Sequence, residues 1–294
     1  MVKIARLFTS LLLAMLVILP AAAQDDEDLP QPPLPDYVLI IVMDGLRPDA
    51  IAEVETPNFD FLIENGAVDM EAKTVFPPAT LPAITSILTG YDVEQHGVDW
   101  NSDEAVIIET PTVLTLAQEA GYRAAMVVGK TLLNQLHQRD DVVYEEGLLG
   151  DRSVVNRTIE LLEDGYEVLF VHFPNPDFFG HRRGWMSEIY LFELEETDRQ
   201  LGRLLAELDT LGIADDTLII VTSDHGGSDF NHGADIPEDM LVPWIIVGAG
   251  VAQGVELEDI SVMDTAATVL WALDLPLPED LDGRPVIEAF EIED

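Results

Sequence analysis

The run Val38-Leu39-Ile40-Ile41-Val42-Met43 stops at Asp44-Gly45. A short, unbroken apolar run rich in β-branched residues is the pattern of a strand buried on both faces. Similar runs occur at Ala124–Val128, Val168–Phe173, Leu218–Thr222 and Trp244–Val247. Helical spacing appears between them, at Pro57–Glu64, Leu81–Leu88, Val113–Ala120, Ser153–Glu163, Glu188–Leu208 and Asp264–Ala272. Apolar strands separated by helices predict an α/β fold, a three-layer sandwich with a mostly parallel central sheet and helices on both faces.

In such a sheet, ligands bind beyond the carboxyl ends of the strands. The first strand is followed at once by Asp44, VLFVHF shortly by Asp177, and LIIVTS by Asp224 and His225. Three strands thus end in potential metal ligands at one edge. Asp224 and His225 are followed by Gly226-Gly227, which would let the backbone turn tightly. Asp177 and His181 are spaced i, i+4 in DFFGH, on one face if the segment is helical; if it is a loop, Gly180 gives freedom to converge. His232 follows His225 by seven residues across a polar loop. Each piece alone has an ordinary alternative: a polar turn, a local hydrogen bond, an exposed loop histidine. Of six histidines, His96, His137 and His172 lack such acidic neighbours. His172 reads as a sheet-core histidine and His137 as a surface helix residue. Mixed Asp/His sets suit zinc, with manganese or iron as alternatives. Two such sites close together can clamp the attacking and leaving oxygens of an in-line displacement.

The candidate nucleophile is Thr80, in Phe76-Pro77-Pro78-Ala79-Thr80-Leu81-Pro82. It falls at the start of a helix, where the dipole favours an alkoxide. The competing reading is a plain N-cap. A threonine hydroxyl is a weak nucleophile, so the functional reading needs a metal to activate it.

Composition bounds the rest. The chain has 294 residues, 48% of them hydrophobic, enough for a substantial core. Residues 1–23 have Lys3 and Arg6, an apolar stretch and Ala21-Ala22-Ala23, the pattern of a cleaved signal peptide. Residues 24–36 form an acidic, proline-rich linker, and the catalytic domain is expected over 37–292. The mature protein is therefore expected to be exported, periplasmic or extracellular, with no stable membrane span after cleavage. There is no cysteine, so a metal site must use oxygen and nitrogen ligands. The net charge of −42 repels polyanions, which excludes nucleic-acid polymers as partners. A small phosphate ester is also repelled at long range, so bound cations would have to reverse the sign locally.

Taken in order, the motifs resemble the alkaline phosphatase superfamily and, within it, the type I phosphodiesterase/nucleotide pyrophosphatase branch. They are VMDG, then T-x-P-x-x-x-S-I-x-T-G from Thr80 to Gly90, HGVDWN from His96 to Asn101, NPDxxGH from Asn175 to His181, TSDHGG and a following HG. The resemblance covers almost the whole mature chain. It implies two zinc sites. Asp177, His181 and His232 would hold one metal; Asp44, Asp224 and His225 would hold the other, which activates Thr80 and has it as a ligand. Asn101, 21 residues after Thr80, falls where an amide steadies a phosphate oxygen. Leu81-Pro82-Ala83-Ile84 departs from a common Phe-Pro-Asn-His, and the segment between Gly227 and His232 is short, which implies an open cleft.

The resemblance implies a metal-dependent hydrolase of phosphodiesters or nucleotide pyrophosphates with a covalent phospho-threonine intermediate and a small phosphate ester or nucleotide as substrate. Monoesterases of the superfamily usually add an arginine that grips two phosphate oxygens. Arg47, Arg182 and Arg183 lie near motifs but read as surface residues, which favours diesters. The alternatives are a phosphomonoesterase, a non-catalytic metal-binding protein on the same fold, and a mutase or transferase, with export arguing against a glycolytic mutase.

Overall fold

A computed structural model describes residues 29–139, 142–147 and 149–291. The signal-peptide segment, the start of the linker and Ile292 lie outside the described residues.

The eight strands are β1 (Tyr37–Met43), β2 (Ala67–Lys73), β3 (Ala124–Val128), β4 (Val143–Glu145), β5 (Val168–Phe173), β6 (Thr217–Thr222), β7 (Leu241–Gly248) and β8 (Val255–Glu256). They form one sheet in the order β4-β3-β5-β1-β6-β7-β2-β8. Every neighbouring pair is parallel except the two that involve β7, which runs against β6 and β2. The fold is thus the expected α/β sandwich with one reversed strand. Parallel pairing puts the ends of β1, β5 and β6 at one edge: Ile41 is level with Val171 and Val221.

β1 shows why the sheet needs helices on both faces. Val38, Ile40 and Val42 point into a core shared with α3 (Thr80–Thr89), α5 (Val113–Ala120) and α10 (Asp264–Ala272). Leu39, Ile41 and Met43 point the other way, into a core shared with α2 (Pro57–Asn65), α6 (Asp151–Glu163) and α8 (Glu188–Leu211). A strand alternates faces with period two, so an unbroken apolar strand has two faces to bury. α7 (Asn175–Arg183) is a helix, which settles the open reading of DFFGH. The short helices α1 (Pro48–Ile51), α4 (Val93–His96) and α9 (Pro237–Met240) are the remaining α-helices among the described residues.

β2, β4 and β8 lack the apolar runs that mark the other strands. β2 reads AVDMEAK, with three charged residues, and the other two are only three and two residues long. Part of the segment expected to be a flexible linker is held to the domain. Leu29 packs on the core, Trp271 Nε1 donates to Pro30 O at 3.3 Å, and Leu34 N donates to Ala272 O at 3.1 Å. Its prolines lack N–H donors and fix φ, so little backbone entropy is lost on docking.

Candidate active site

The site lies where β1, β5 and β6 end. Asp44 follows β1 directly, and Gly45 turns the chain with φ +72°. Gly45 is also required for space: a Cβ there would lie 2.9 Å from Asp177 Cα. The close approach lets Asp177 N donate to Asp44 O at 2.8 Å. Gly45 N in turn donates to Asp224 Oδ1 at 3.1 Å. Trp185 Nε1 and Tyr190 OH both donate to Gly45 O, at 2.8 and 3.0 Å. Three aspartates that lie far apart in the chain are thereby locked to one turn.

The motif glycines act differently from the expectation. Gly180, Gly226 and Gly227 do not adopt positive φ. They are small because something lies against them: a Cβ would come within 2.5 Å of the Trp185 ring at Gly180, 2.2 Å of it at Gly227, and 2.1 Å of Glu238 O at Gly226.

The histidines follow one rule. His225 Nδ1 lies 2.7 Å from Gly226 O, His232 Nδ1 2.8 Å from Pro78 O, and His181 Nδ1 2.9 Å from Phe230 O. A carbonyl only accepts, so each Nδ1 carries the hydrogen and each Nε2 turns its lone pair inward. The Nε2 atoms meet carboxylate oxygens. His225 Nε2 is 3.5 Å from Asp44 Oδ1 and 3.6 Å from Asp224 Oδ2. His181 and His232 Nε2 are 3.2 and 3.8 Å from Asp177 Oδ1. These are the two sets expected from the sequence, Asp44/Asp224/His225 and Asp177/His181/His232, each with its ligand atoms within 4.8 Å of one another. The rings of His225 and His232 stack at 3.7 Å and join the sets.

The donor sets fit divalent cations. Asp44 Oδ1, Asp177 Oδ1 and Asp224 Oδ2 are buried and make no hydrogen bond. Buried carboxylate oxygens seldom lack a partner, and these three are the oxygens that face the Nε2 atoms. Around a tetrahedral zinc with bonds of about 2.0–2.2 Å, ligand atoms lie roughly 3.3–3.6 Å apart, close to the separations found here.

Charge balance inside the site is uneven. Burial and the nearby Asp177 push the Asp44 carboxyl up, but Lys130 and His172 outweigh them and hold it below its usual range. Asp177 is opposed by burial too, yet Lys130 and His181 hold it low. Asp224 is pushed well up by burial and by the Asp44 charge. Burial lowers His225, and burial together with the neighbouring His225 lowers His232 to about 4. His181 is raised by Asp177, whose Oδ1 lies 3.2 Å from its Nε2.

Thr80 is the first residue of α3, and Ala79 occupies the cap position. The hydroxyl therefore does not cap the helix. It lies 3.0 Å from Lys130 Nζ and 3.5 Å from His225 Nε2. Asn101 Oδ1 accepts from the backbone N of Leu81, the residue after Thr80, at 3.0 Å, which leaves the Nδ2 hydrogens free of that bond.

Two residues of the site were not read from the sequence as such. Lys130 Nζ touches Asp44 Oδ2 at 2.6 Å and Asp177 Oδ2 at 2.7 Å. Its signal was available: AAMVV-Gly129-Lys130 is a strand followed by a charged residue at the same sheet edge. His172 is in the sheet core as expected, but it also has a polar task. Gly129 N approaches its Nδ1 at 3.4 Å, so Nε2 carries the hydrogen and donates to Asp44 Oδ2 at 2.9 Å. It has the opposite tautomer to the other three and orients a carboxylate. His96 lies apart, bridging Ser86 Oγ at 2.9 Å, and His137 stacks on Tyr144. Arg47 is partly buried rather than freely exposed: its side chain is 14% exposed and is engaged with Asp49 and the Gly227 carbonyl.

A protein-family model described as type I phosphodiesterase / nucleotide pyrophosphatase matches residues 38–245. The chain belongs to this family. The matched segment carries all seven expected ligand and nucleophile positions. Among curated relatives, the chain is 26% identical over 281 residues to the human GPI ethanolamine phosphate transferase 2, catalytic subunit, covering 87% of this chain and 28% of that protein. It is 28% identical over 219 residues to bis(5'-adenosyl)-triphosphatase enpp4 of Xenopus laevis, covering 64% of this chain and 46% of that one. The chain thus spans less than half the length of either relative. Among solved structures, murine ectonucleotide pyrophosphatase / phosphodiesterase 5, as an inactive variant in complex with AMP, superimposes with a TM-score of 0.75 at 18% identity, covering 87% of this chain and 100% of that chain. That likeness establishes the alkaline phosphatase-like fold.

Proposed function

We propose that the protein is an exported, metal-dependent hydrolase of phosphodiesters or nucleotide pyrophosphates in which Thr80 Oγ becomes covalently bonded to phosphorus. Family membership supports phosphate ester hydrolysis in general. The observation that carries the finer reading is the position of the Thr80 hydroxyl: buried, free of capping, and between two Asp/His groups whose inward oxygens lack hydrogen bonds.

Asp177, His181 and His232 would hold one divalent ion, and Asp44, Asp224, His225 and Thr80 the other. When bound, such ions lower the pKa of a hydroxyl or of water and shield negative charge on phosphate oxygens. Thr80 Oγ, as its alkoxide, attacks phosphorus. An Oγ–P bond forms as the bond to the leaving oxygen breaks on the opposite side, and that oxygen takes up a proton. Water then attacks phosphorus, the Oγ–P bond breaks, and Thr80 regains its proton. The first turn of α3 favours negative charge at Thr80. Asn101, anchored through Oδ1, offers Nδ2 to a phosphate oxygen.

Diesters are favoured by the commitments of three cations near the site. Arg47 holds Asp49 and Gly227, Arg182 lies over the Phe178 ring, and Lys130 already has three acceptors. None of these contacts leaves a guanidinium fork directed at a monoester dianion. A transferase would differ only in the second step, with an alcohol in place of water; the human relative's name motivates adding one to the assay.

Thr80→Ala is expected to lower turnover of bis-p-nitrophenyl phosphate by at least about a thousandfold, as removal of a nucleophile does, while bound metal is retained. The wild type should prefer that diester to p-nitrophenyl phosphate. Near-native turnover in Thr80→Ala would overturn the covalent route.

A further inference from the structure

Lys130 sits where the two Asp/His groups meet. An ammonium has three donors and no acceptor, and this one faces three acceptors: Asp44 Oδ2 at 2.6 Å, Asp177 Oδ2 at 2.7 Å and Thr80 Oγ at 3.0 Å. The division of the carboxylates is the telling point. On both Asp44 and Asp177 the lysine takes Oδ2, and on both Oδ1 is buried without a hydrogen bond and faces the histidine Nε2 atoms. The ammonium therefore uses different oxygens of the same carboxylates from the imidazoles of His181, His225 and His232, and shares Asp44 Oδ2 with His172. Lys130 is also placed from behind: the preceding Gly129 lies so close to Pro174 that a Cβ there would come within 2.3 Å of the ring.

We propose that Lys130 is a permanent cation of this site, one that stays on Asp44 Oδ2, Asp177 Oδ2 and Thr80 Oγ whether or not metal is bound. It thereby fixes both carboxylates and stabilises the Thr80 oxygen as that atom gains negative charge. The second half rests on Thr80 being the nucleophile; the first does not. The competing picture is a stand-in: an ammonium that neutralises the carboxylates in the metal-free protein and swings out when metal enters.

Wild-type protein separates the two. The chain has three lysines, Lys3 in the expected signal peptide, Lys73 and Lys130, and Lys73 is exposed. Lys73 is thus an internal reference for amine modification read by mass spectrometry. A permanent cation reacts at least about tenfold more slowly than Lys73, the factor that one charge-assisted hydrogen bond supplies. It does so in both metal-free and zinc-loaded protein. If zinc loading brings Lys130 to the rate of Lys73, or if the two already react alike without metal, the proposal is wrong.

The role at Thr80 is read separately. Lys130→Met is expected to bind two zinc ions per chain and to lose about a hundredfold in kcat, the scale of one preorganised charge contact, with Lys130→Arg recovering part of it. Full kcat in a zinc-loaded Lys130→Met removes that role. If Lys130→Met fails to fold, the labelling result still decides the first half. An active Thr80→Ala variant would sink the nucleophile without touching the labelling.

Discussion

Asp44 has two oxygens with different neighbours, and the difference depends on a proton on His172. Because Gly129 N approaches Nδ1, His172 presents Nε2–H to Asp44 Oδ2 and turns Oδ1 inward. Partners that orient a ligand typically change metal affinity by about 10–100-fold when removed. His172→Leu is therefore expected to weaken zinc binding at the Asp44/Asp224/His225 group by that factor, measured by competition with a chelator, while circular dichroism remains that of the wild type. Unchanged affinity would reduce His172 to a packing residue. Its role was hidden in the sequence because His172 lies inside VLFVHF, where an apolar neighbourhood argues for core. The tautomer depends on Gly129, 43 positions away.

Among the elements, α6, α7 and α8 meet at one buried carboxylate. Asp151 opens α6, accepts from Asn175 N at 3.0 Å at the start of α7, and accepts from Thr197 Oγ of α8 at 2.5 Å. Burial pushes its carboxyl up to about 7 from an ordinary 3.8. The folded state then holds a proton that the unfolded state releases, so stability falls as pH rises from about 4 to about 7 and is level above that. Asp151→Asn removes the ionisation but keeps the shape. The stability of the variant relative to wild type is expected to increase across that window, in urea titrations at several pH values; parallel curves would contradict the assignment. The apolar strands and the longer helices were legible because their periodicity is local. β2, β4 and β8 were not, since their place in the sheet comes from neighbours rather than from their own apolar content. β2 is held between β7 and β8 despite Asp69, Glu71 and Lys73.

The whole molecule carries a net charge of −42, and its acidic groups repel one another in the compact state. Salt shortens the reach of that repulsion from about 10 Å at 0.1 M to about 3 Å at 1 M. The unfolding midpoint is expected to rise with sodium chloride over this range, by about 2–4 °C for each kcal/mol of repulsion relieved. A flat or falling midpoint in scanning calorimetry would show that the charges are already compensated locally. The same field disfavours polyanions, consistent with a small phosphate ester rather than a nucleic-acid polymer as the proposed substrate.

Chain order alone determined that carboxylates and histidines would collect at one edge. Parallel strands all end on the same side, and the runs of β1, β5 and β6 are each followed, at once or within a few residues, by an aspartate. It also determined the membership of the two Asp/His groups, through the resemblance its motifs carry. Which oxygen of each aspartate faces inward, which ring nitrogen keeps its hydrogen, and that Lys130 ties the two groups together were decided only by the tertiary structure. Those properties are set by distances between strands that sequence spacing does not encode, and by hydrogen bonds whose partners lie on different elements.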